Sequence, residues 1–482
     1  MNWQSILEIL YVLLVIFTCL RIVYDVESTE KTLAYILLAI TVPFAGVIFY
    51  YLLGNNYRKN KLYSKKLIAN DKILNRMKDA TILETMKVLE EGDETLKKNS
   101  ELARLLLNDR SPLTKGNKVK LLVNGENKFP EVLQELEKAK HHIHLEYYIF
   151  EDDEIGNKIK EILIRKAKEG VHVRFIYDDF GSRSIRKKLV PELIKNGVEA
   201  HPFFKIYFIA FANRINYRNH RKIIIIDGFT AFVGGINVSD RYINAADSKQ
   251  VFWRDTHLMI KGPGIRHLQY IFLCDWNFCA DTTIEPPLRS FFSSDEKIEE
   301  DKVVQIAASG PDSDIPTILY SLIQVISLAT KEILITTPYF IPVTSLMDSL
   351  RVAALSGLDI KLLVPEHSDS MWVNAAARSY YGDLLDAGVK IYLYKKGFVH
   401  AKTIVVDGNV SVVGTANLDH RSFDLNFEVN AVVYDKQISE QLRETFYSDL
   451  KDAQEINKTD WNARPLWKYF PEKVARLLSP LL

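Results

Sequence analysis

The stretch His220 to Asn237, HRKIIIIDGFTAFVGGIN, returns later in the chain as His400 to Asn417, HAKTIVVDGNVSVVGTAN. Both copies read His-x-Lys-x4-Asp: His220, Lys222 and Asp227 in the first, His400, Lys402 and Asp407 in the second. Each is followed at the same offset by a small-residue turn and an Asn, Gly234-Gly235-Ile236-Asn237 and Gly414-Thr415-Ala416-Asn417. The chain holds only eleven His, so two full patterns are a duplication and not an accident of composition. The apolar runs Ile223–Ile226 and Thr403–Val406 end in Asp-Gly and resume after it, which reads as a β-hairpin in each copy. His and Lys then stand at i and i+2 of a strand and share a face.

Around the two hairpins a longer repeat is visible as matching order. Ala139-Lys140 leads into a strand at Ile143–Phe150, a helix through Leu163–Glu169 ends at Gly170, and a strand follows at Val171–Tyr177. In the later half Ala329-Thr330-Lys331 leads into Ile333–Phe340, a helix through Leu350–Leu355 ends at Gly357, and a strand follows at Leu358–Val364. Strands alternating with helices predict an α/β/α sandwich in each half. Two such halves are expected to pack about a pseudo-twofold axis that brings the motifs together. The expected boundaries are 1–56 for a transmembrane helical hairpin, 57–110 for a helical connector, 111–297 and 298–460 for the two α/β domains, and 461–482 for an amphipathic tail.

A duplicated His/Lys/Asn set suits the grip of one phosphodiester from two sides, with one His attacking and the other protonating. Lys222, Lys402, Asn237 and Asn417 would neutralise and hydrogen-bond the non-bridging oxygens, the kind of electrostatic aid that is usually the largest catalytic term. Asp227 lies about 16 Å beyond Lys222 along an extended strand, so the motif Asp residues read as turn-formers whose part in catalysis is indirect. Each His still needs a carboxylate on its other ring nitrogen. Asp255 and Glu428, acids inside apolar strand-like runs, are the candidates, because a buried acid is rare unless paired. The alternative is that they pair with Arg254 or Arg421. His220 is expected to be the nucleophile and His400 the general acid and then base, since Arg218, Arg221 and Lys222 favour a neutral imidazole at His220. No metal or other cofactor is expected, because two Lys supply the charge; His141-His142-Ile143-His144 fits no zinc spacing and reads as a polar strand entry.

The 482 residues are 47% apolar with a net charge of +1, which speaks against a nucleic-acid binder. Cys19, Cys274 and Cys279 form no disulfide framework and suit a reducing compartment. Thr32–Tyr57 carries no charge and exceeds the ~20 residues that cross a bilayer. Pro43 and Gly46 inside it are tolerable in a span. Ile6–Val23 is a weaker span, in which Glu8 and Arg21 bracket only the uncharged stretch Ile9–Leu20; a reentrant or interfacial segment is the alternative. A signal peptide is excluded by the lack of Lys or Arg in residues 1–7 and by the second apolar run. An acidic connection precedes the second span, and Arg58, Lys59, Lys61, Lys65 and Lys66 follow it, which places the large C-terminal part in the cytoplasm. That basic cluster would also meet anionic headgroups at ~1 kcal/mol per charge.

At these residues the chain resembles the phospholipase D superfamily and, within it, the bacterial cardiolipin synthases. The resemblance runs through Tyr50-Tyr51-Leu52-Leu53-Gly54, Ile143–Phe150, Asn216–Lys222, His400–Thr403, Gly414–Phe423, Asn426-Phe427-Glu428 and the tail Leu477–Leu482. The His/Lys pattern marks only the superfamily, which includes nucleases; the apolar spans and the tail narrow it. The resemblance implies two phospholipase D-like domains whose catalytic set includes Asp227 and Asp407 with the His/Lys pairs. It implies transfer of a phosphatidyl group from one phosphatidylglycerol to a His and then to a second phosphatidylglycerol, at a bacterial inner membrane. Gly235 stands where many relatives carry Ser, and Thr415 stands at the matching place in the second copy. Other readings of the same site are a phosphatidylserine synthase-like or hydrolytic phospholipase, a membrane-bound nuclease, and an inactive membrane scaffold. Oligomeric state is left open.

Two segments suggest contact with an anionic membrane surface. Phe203–Phe211 is too aromatic for a solvated loop and is expected to dip into the headgroup layer. Trp461–Leu482 is amphipathic, which suits either the bilayer interface or packing on the catalytic domains.

Overall fold

The computed structural model describes residues 3–26, 29–42, 44–51, 82–204, 217–245, 250–280, 284, 291 and 298–481. The chain divides into a small unit holding the N-terminal helices and a large unit of residues 70–205 and 218–482.

In the small unit, α1 (Trp3–Asp25) is long and apolar enough to cross a membrane, and among the described residues it alone is. Leu7, Leu10, Leu13, Phe17 and Leu20 along it are exposed. Its end is polar: Arg21 donates to Asp25 at 2.7 Å, and so does the Tyr50 hydroxyl at 3.0 Å. The run expected to be the stronger span is broken instead into α2 (Thr29–Thr41) and the short α3 (Ala45–Phe49). The break falls where the sequence carries Pro43, and Phe44 turns through a φ of 58°. A Cβ at position 46 would lie 2.2 Å from the Leu38 carbonyl oxygen, so the return of α3 requires Gly46.

The large unit is built on one sheet. Its first half has β1 (Thr114–Val123), β2 (His142–Tyr147), β3 (His172–Tyr177), β4 (Glu199–Pro202), β5 (Lys222–Ile226), β6 (Thr230–Gly234) and β7 (Thr256–Lys261). Its second half has β8 (Lys302–Ser309), β9 (Glu332–Thr336), β10 (Asp359–Pro365), β11 (Lys390–Tyr394), β12 (Thr403–Val406), β13 (Val410–Gly414) and β14 (Asn426–Tyr434). The spatial order is β4-β3-β2-β5-β6-β7-β1 and then β8-β14-β13-β12-β9-β10-β11. The second order is the first read backwards, each strand replaced by its repeat counterpart. The join is β1 against β8, antiparallel, with Thr114 opposite Val304. Equivalent strands paired antiparallel are what a pseudo-twofold axis requires.

Both faces of the sheet are covered, and β2, β5 and β14 are buried at every residue, as central strands of an α/β sandwich are. Helix α4 (Asn124–Glu137) and α5 (Glu154–Lys168) pack on the first half with Phe129, Val132, Ile159 and Leu163 facing Leu145, Phe175 and Ile224. Asp153 caps α5 by accepting from the Gly156 N–H at 3.1 Å, and Gly170 stops it at a φ of 91°. Helix α6 (Ile265–Cys279) runs behind β5 and β6. In the second half α7 (Thr317–Ser327) and α8 (Thr344–Leu355) take the places of α4 and α5, and α9 (Met371–Ala387) and α10 (Lys436–Leu450) complete the cover. The expected connector is more than a link: Val88, Leu96, Leu102, Ala103 and Leu106 are buried in the second half's core. The last helix, α11 (Leu466–Arg476), lies on α9.

Candidate active site

Both Asp-Gly turns form as the sequence suggests. Asp227 and Gly228 have φ of 53° and 65°, and Asp407 and Gly408 have 51° and 65°. The Asp carboxylates are occupied at this end of the strands, away from the motif His residues. Asp227 accepts the N–H groups of Lys140, His141 and His142 at 2.8 to 2.9 Å. Asp407 accepts those of Thr330, Lys331 and Glu332 at 2.8 to 2.9 Å and the Thr330 hydroxyl at 2.7 Å. Each clamps the hairpin to the start of the neighbouring strand, so the structure does not bring Asp227 or Asp407 to the His/Lys groups, although the resemblance groups them together.

At the other end, the residues just before each His reach across to the opposite half. Arg218–Asn219 pairs in parallel with Asn426–Phe427, and the His220 N–H donates to the Phe427 carbonyl at 3.0 Å. Gly397–Val399 pairs with Phe252–Arg254, and the His400 N–H donates to the Arg254 carbonyl at 2.7 Å. The exchange sets the side chains. His220 Nδ1 lies 3.0 Å from both oxygens of Glu428, and His400 Nδ1 lies 2.7 Å from Asp255. Each His is therefore oriented by a carboxylate from the other half. Arg254, the alternative partner of Asp255, donates instead to Asp449 at 2.9 Å.

All the groups of this cluster are buried. Burial first, and then Lys222, Lys402 and the other nearby charges, set their protonation. Burial pushes His220 down to about 4 against the opposing pull of Glu428. Burial and then Lys402 push His400 down to about 3. Burial raises the Glu428 carboxyl, but His220, Lys222 and the Thr415 hydroxyl outweigh it and leave it below its ordinary value. Asp255 is likewise lowered on balance, by His400 and Lys402 against burial. An ionised carboxylate accepts only, so Nδ1 of each neutral imidazole is the donor and Nε2 keeps its lone pair.

The two lysines are depressed, chiefly by burial: Lys222 to about 7 and Lys402 to about 8. Each turns back to its own motif, Lys222 Nζ donating to the His220 carbonyl at 2.6 Å and Lys402 Nζ to that of His400 at 2.5 Å. Lys402 acts on His220 and Lys222 on His400, so the two motifs share one electrostatic centre.

The Asn residues flank it. Asn237 accepts from the Ile149 N–H at 3.2 Å and donates to the Tyr242 hydroxyl at 2.7 Å. Asn417 donates to Asp419 at 3.1 Å, and its buried amide oxygen has no partner among the described residues.

The two halves are not identical. Thr415 donates its hydroxyl to Glu428 at 2.5 Å, and Asn426 donates to the same carboxylate at 3.2 Å. In the first half a Cβ at Gly235 would lie 2.1 Å from an oxygen of Asp255, so the carboxylate fills the space a side chain would need. Behind the first motif, Lys128 is fully buried and donates to the Ile236 carbonyl at 2.7 Å and the Tyr147 hydroxyl at 3.1 Å. The matching place in the second half is a small pocket lined by Thr337, Lys402, Ala416 and Asn430. The ring of Tyr148 lies 4.9 Å from that of His220, while Trp253, Phe398 and Tyr242 lie 5.4, 5.9 and 6.0 Å from His400. None of these aromatics stood out in the sequence, where they sit among many others.

One expectation changes, and another gains its partner. Phe203 and Phe204 are buried against Phe278 and Phe427 and do not face lipid; residues 205–211 of that segment lie outside the described residues. In the strand entry, His142 and His144 are bridged by Gln269 at 2.9 and 2.8 Å.

The family model described as cardiolipin synthase, PLD-like domain, matches residues 132–269 and 322–450, and a phospholipase D-nuclease N-terminal model matches residues 9–55. The chain is 40% identical over 486 residues to the major cardiolipin synthase ClsA of Bacillus subtilis, covering all of both chains. It is 42% identical over 480 residues to a cardiolipin synthase of Geobacillus, covering 99% of this chain and 94% of that one. The crystal structure of the phosphatidylserine synthase of Haemophilus influenzae superposes with a TM-score of 0.60 at 16% identity, covering 79% of this chain and all of that one, which shows a shared fold. A duplicated hairpin, a sheet that reads the same from both ends and full-length identity near 40% place this chain in the phospholipase D-like cardiolipin synthase family.

Proposed function

We propose that the chain makes cardiolipin by moving a phosphatidyl group between two phosphatidylglycerol molecules. The observation that carries this is the crossed pairing, His220 with Glu428 and His400 with Asp255, which gathers two His/Lys sets into one buried centre. Nε2 of one His attacks the phosphorus of the first lipid. The bond from phosphorus to the glycerol oxygen breaks, and that oxygen takes its proton from the other His. The hydroxyl of the second phosphatidylglycerol then gives its proton to that same His and attacks phosphorus, and the N–P bond breaks. His220 is the expected nucleophile and His400 the proton carrier.

Both imidazoles are neutral in the free protein, so the proton carrier must gain its proton as the substrate enters. The phosphodiester anion provides the reason: a negative charge placed between Lys222, Lys402 and the two His raises all four proton affinities. Lys222 and Lys402 then hold the non-bridging oxygens, with Asn237 and Asn417 at their sides, in a centre where fixed donors act strongly. The chemistry needs no metal or cofactor. A phosphatidylserine synthase-like transfer shares every one of these steps and differs only in the acceptor alcohol.

The proposed substrate and the apolar α1 support a membrane location. We infer a multi-pass protein of a bacterial inner membrane, with the large unit on the cytoplasmic side where Arg58 to Lys66 collect. The test is incubation of the purified full-length protein with labelled phosphatidylglycerol, alone and with serine, glycerol or DNA. Cardiolipin and free glycerol are expected without additions. Phosphatidylserine formed on adding serine, or phosphatidic acid as the main product, would replace this reading with another lipid transfer.

A further inference from the structure

The C-terminal helix α11 is held by one face only. Ala475 is fully buried, and buried Glu472 accepts from Arg378 of α9 at 2.8 Å and from Arg464 at 2.9 and 3.0 Å. Arg476 reaches Asp383 of α9 at 2.9 Å, and the Tyr380 hydroxyl donates to Ser479 at 3.0 Å. Core packing is thus part of what the tail does. The other face is a continuous apolar stripe: Trp467 is 71% exposed, Phe470 60%, Val474 42% and Leu477 79%. Their spacing puts them on one side of the helix. Five polar contacts fix the helix so that this stripe, and not the charged face, points outward.

Three observations identify what covers it. Lys468 and Lys473 lie over the rings of Trp467 and Tyr469 at 5.2 Å, and aromatic residues with Lys beside them suit a bilayer interface with anionic headgroups. The same chain carries the 23-residue α1, on which Leu7, Leu10, Leu13, Phe17 and Leu20 are exposed, so a bilayer is at hand. The stripe also leads to the site. Ser479–Leu481 packs beside His420–Asp424, the short helix that follows Asn417. At the start of α9, Met371 and Trp372 are 79% and 53% exposed, just after the loop whose Asp369 accepts from Tyr339, which packs on Phe398 beside His400.

We propose that the stripe Trp467, Phe470, Val474 and Leu477 is a bilayer-docking face that lies in the headgroup layer and holds the site against the lipid surface. That the lipid there is also substrate rests on the phosphatidyl-transfer reading; the docking does not. An aqueous enzyme face would leave the stripe wet, whereas a docked one buries it and spares a long-chain lipid the passage through water.

The test uses the full chain in phosphatidylglycerol vesicles with brominated acyl chains. Wild type is expected to show a quenched Trp component that a Trp467→Tyr variant lacks. A Phe470→Ser, Val474→Ser, Leu477→Ser triple variant is expected to make cardiolipin in vesicles about tenfold more slowly, with turnover of dispersed short-chain phosphatidylglycerol held within about twofold. Equal quenching in wild type and Trp467→Tyr, or unimpaired vesicle turnover in the triple variant, overturns the proposal. So does a detergent-solubilised dimer that the triple variant turns into a monomer, because the stripe is then a contact between copies. Quenched Trp467 in a protein that makes no cardiolipin in either format would leave the docking face standing and remove the transfer reading.

Discussion

His220 and Glu428 are 208 residues apart in the chain and 3.0 Å apart in the fold. His400 and Asp255 repeat the relation in the opposite direction at 2.7 Å. Neither half holds a complete site, although each holds a complete motif. The exchange follows from the short parallel pairings before each His, which fasten the His of one half to the strand that carries the other half's carboxylate.

Crossed pairs predict crossed genetics. Glu428→Gln is expected to lower kcat by about 10³ to 10⁴, as loss of an orienting carboxylate does in a His-based triad, with little change in Tm. Combined with His220→Ala it should add almost nothing, since both changes disable the same imidazole. Asp255→Asn should behave this way with His400→Ala. If Glu428→Gln proves non-additive with His400→Ala instead, the pairing in solution is within each half and the geometry is wrong.

The duplicated hairpins, the α/β class and the candidate carboxylates were legible because they are local. Asp-Gly between apolar runs announces a turn, and an acid in an apolar run announces a buried partner. Which acid serves which His was not legible, because Asp255 and Glu428 each lie downstream of a motif His in their own half, and only the pairing of Arg218-Asn219 with Asn426-Phe427 reveals the exchange. The apolar count of Thr32–Tyr57 predicts the stronger span, yet the break between α2 and α3 makes α1 the longer helix. Phe203 and Phe204 show the same limit from the other side: an aromatic run looks alike whether it meets lipid or, as here, Phe278 and Phe427.

The motif Asp residues should act through stability. Asp407 satisfies three backbone N–H groups and one hydroxyl at the start of β9. Asp407→Asn keeps the shape but loses charge-assisted acceptance and is expected to cost about 1–3 kcal/mol. Activity per folded molecule should stay within a few fold. A large loss of kcat with an unchanged Tm would show that Asp407 reaches the chemistry after all.

The pH profile should be limited by the lysines on its alkaline side. Lys222 at about 7 and Lys402 at about 8 lose their charge as pH rises through those values, and an uncharged amine grips a phosphodiester poorly. So kcat/KM, which reports the free protein, is expected to fall between about pH 7 and 8. The His values of about 4 and 3 put the acid limb well below neutrality, because the attacking imidazole must be neutral. Lys222→Arg keeps its charge at all these pH values, so the alkaline limb should move upward toward the value of Lys402, about 8, even as turnover drops with the changed geometry. An unmoved limb would assign the titration to another group.

The space beside each orienting carboxylate should matter differently in the two halves. Thr415→Val removes one donor from Glu428, whose other donors remain, and about a tenfold loss of kcat is expected for one hydrogen bond at a buried charge. Gly235→Ala is expected to be worse. Its Cβ would meet Asp255 at 2.1 Å, so the carboxylate must leave His400. Parallel measurement of kcat and Tm decides this; a mild Gly235→Ala variant would mean that Asp255 can shift without releasing His400.

Lys128 tests what a buried cation costs this fold. Burial drives its amine well below the ordinary 10.5, with Asp255 pulling upward and Lys222 pushing further down. A lysine whose folded value is lowered destabilises the fold below that value, where both states are charged. The penalty is relieved as pH rises from there toward 10.5, because the unfolded chain still binds the proton that the folded one has released. Relief amounts to about 1.4 kcal/mol per pH unit inside that window. Lys128→Met fills nearly the same volume without charge, but it leaves the Ile236 carbonyl and the Tyr147 hydroxyl without their donor, at about 1–3 kcal/mol. The two effects oppose, so the variant should lose ground against wild type between pH 7 and pH 9, as wild type sheds its penalty. Thermal melts of both proteins at the two pH values measure it. A gap that is the same at both pH values would mean that Lys128 keeps its charge in the fold, and that Asp255 and the carbonyl of Ile236 hold an ammonium beside the first motif.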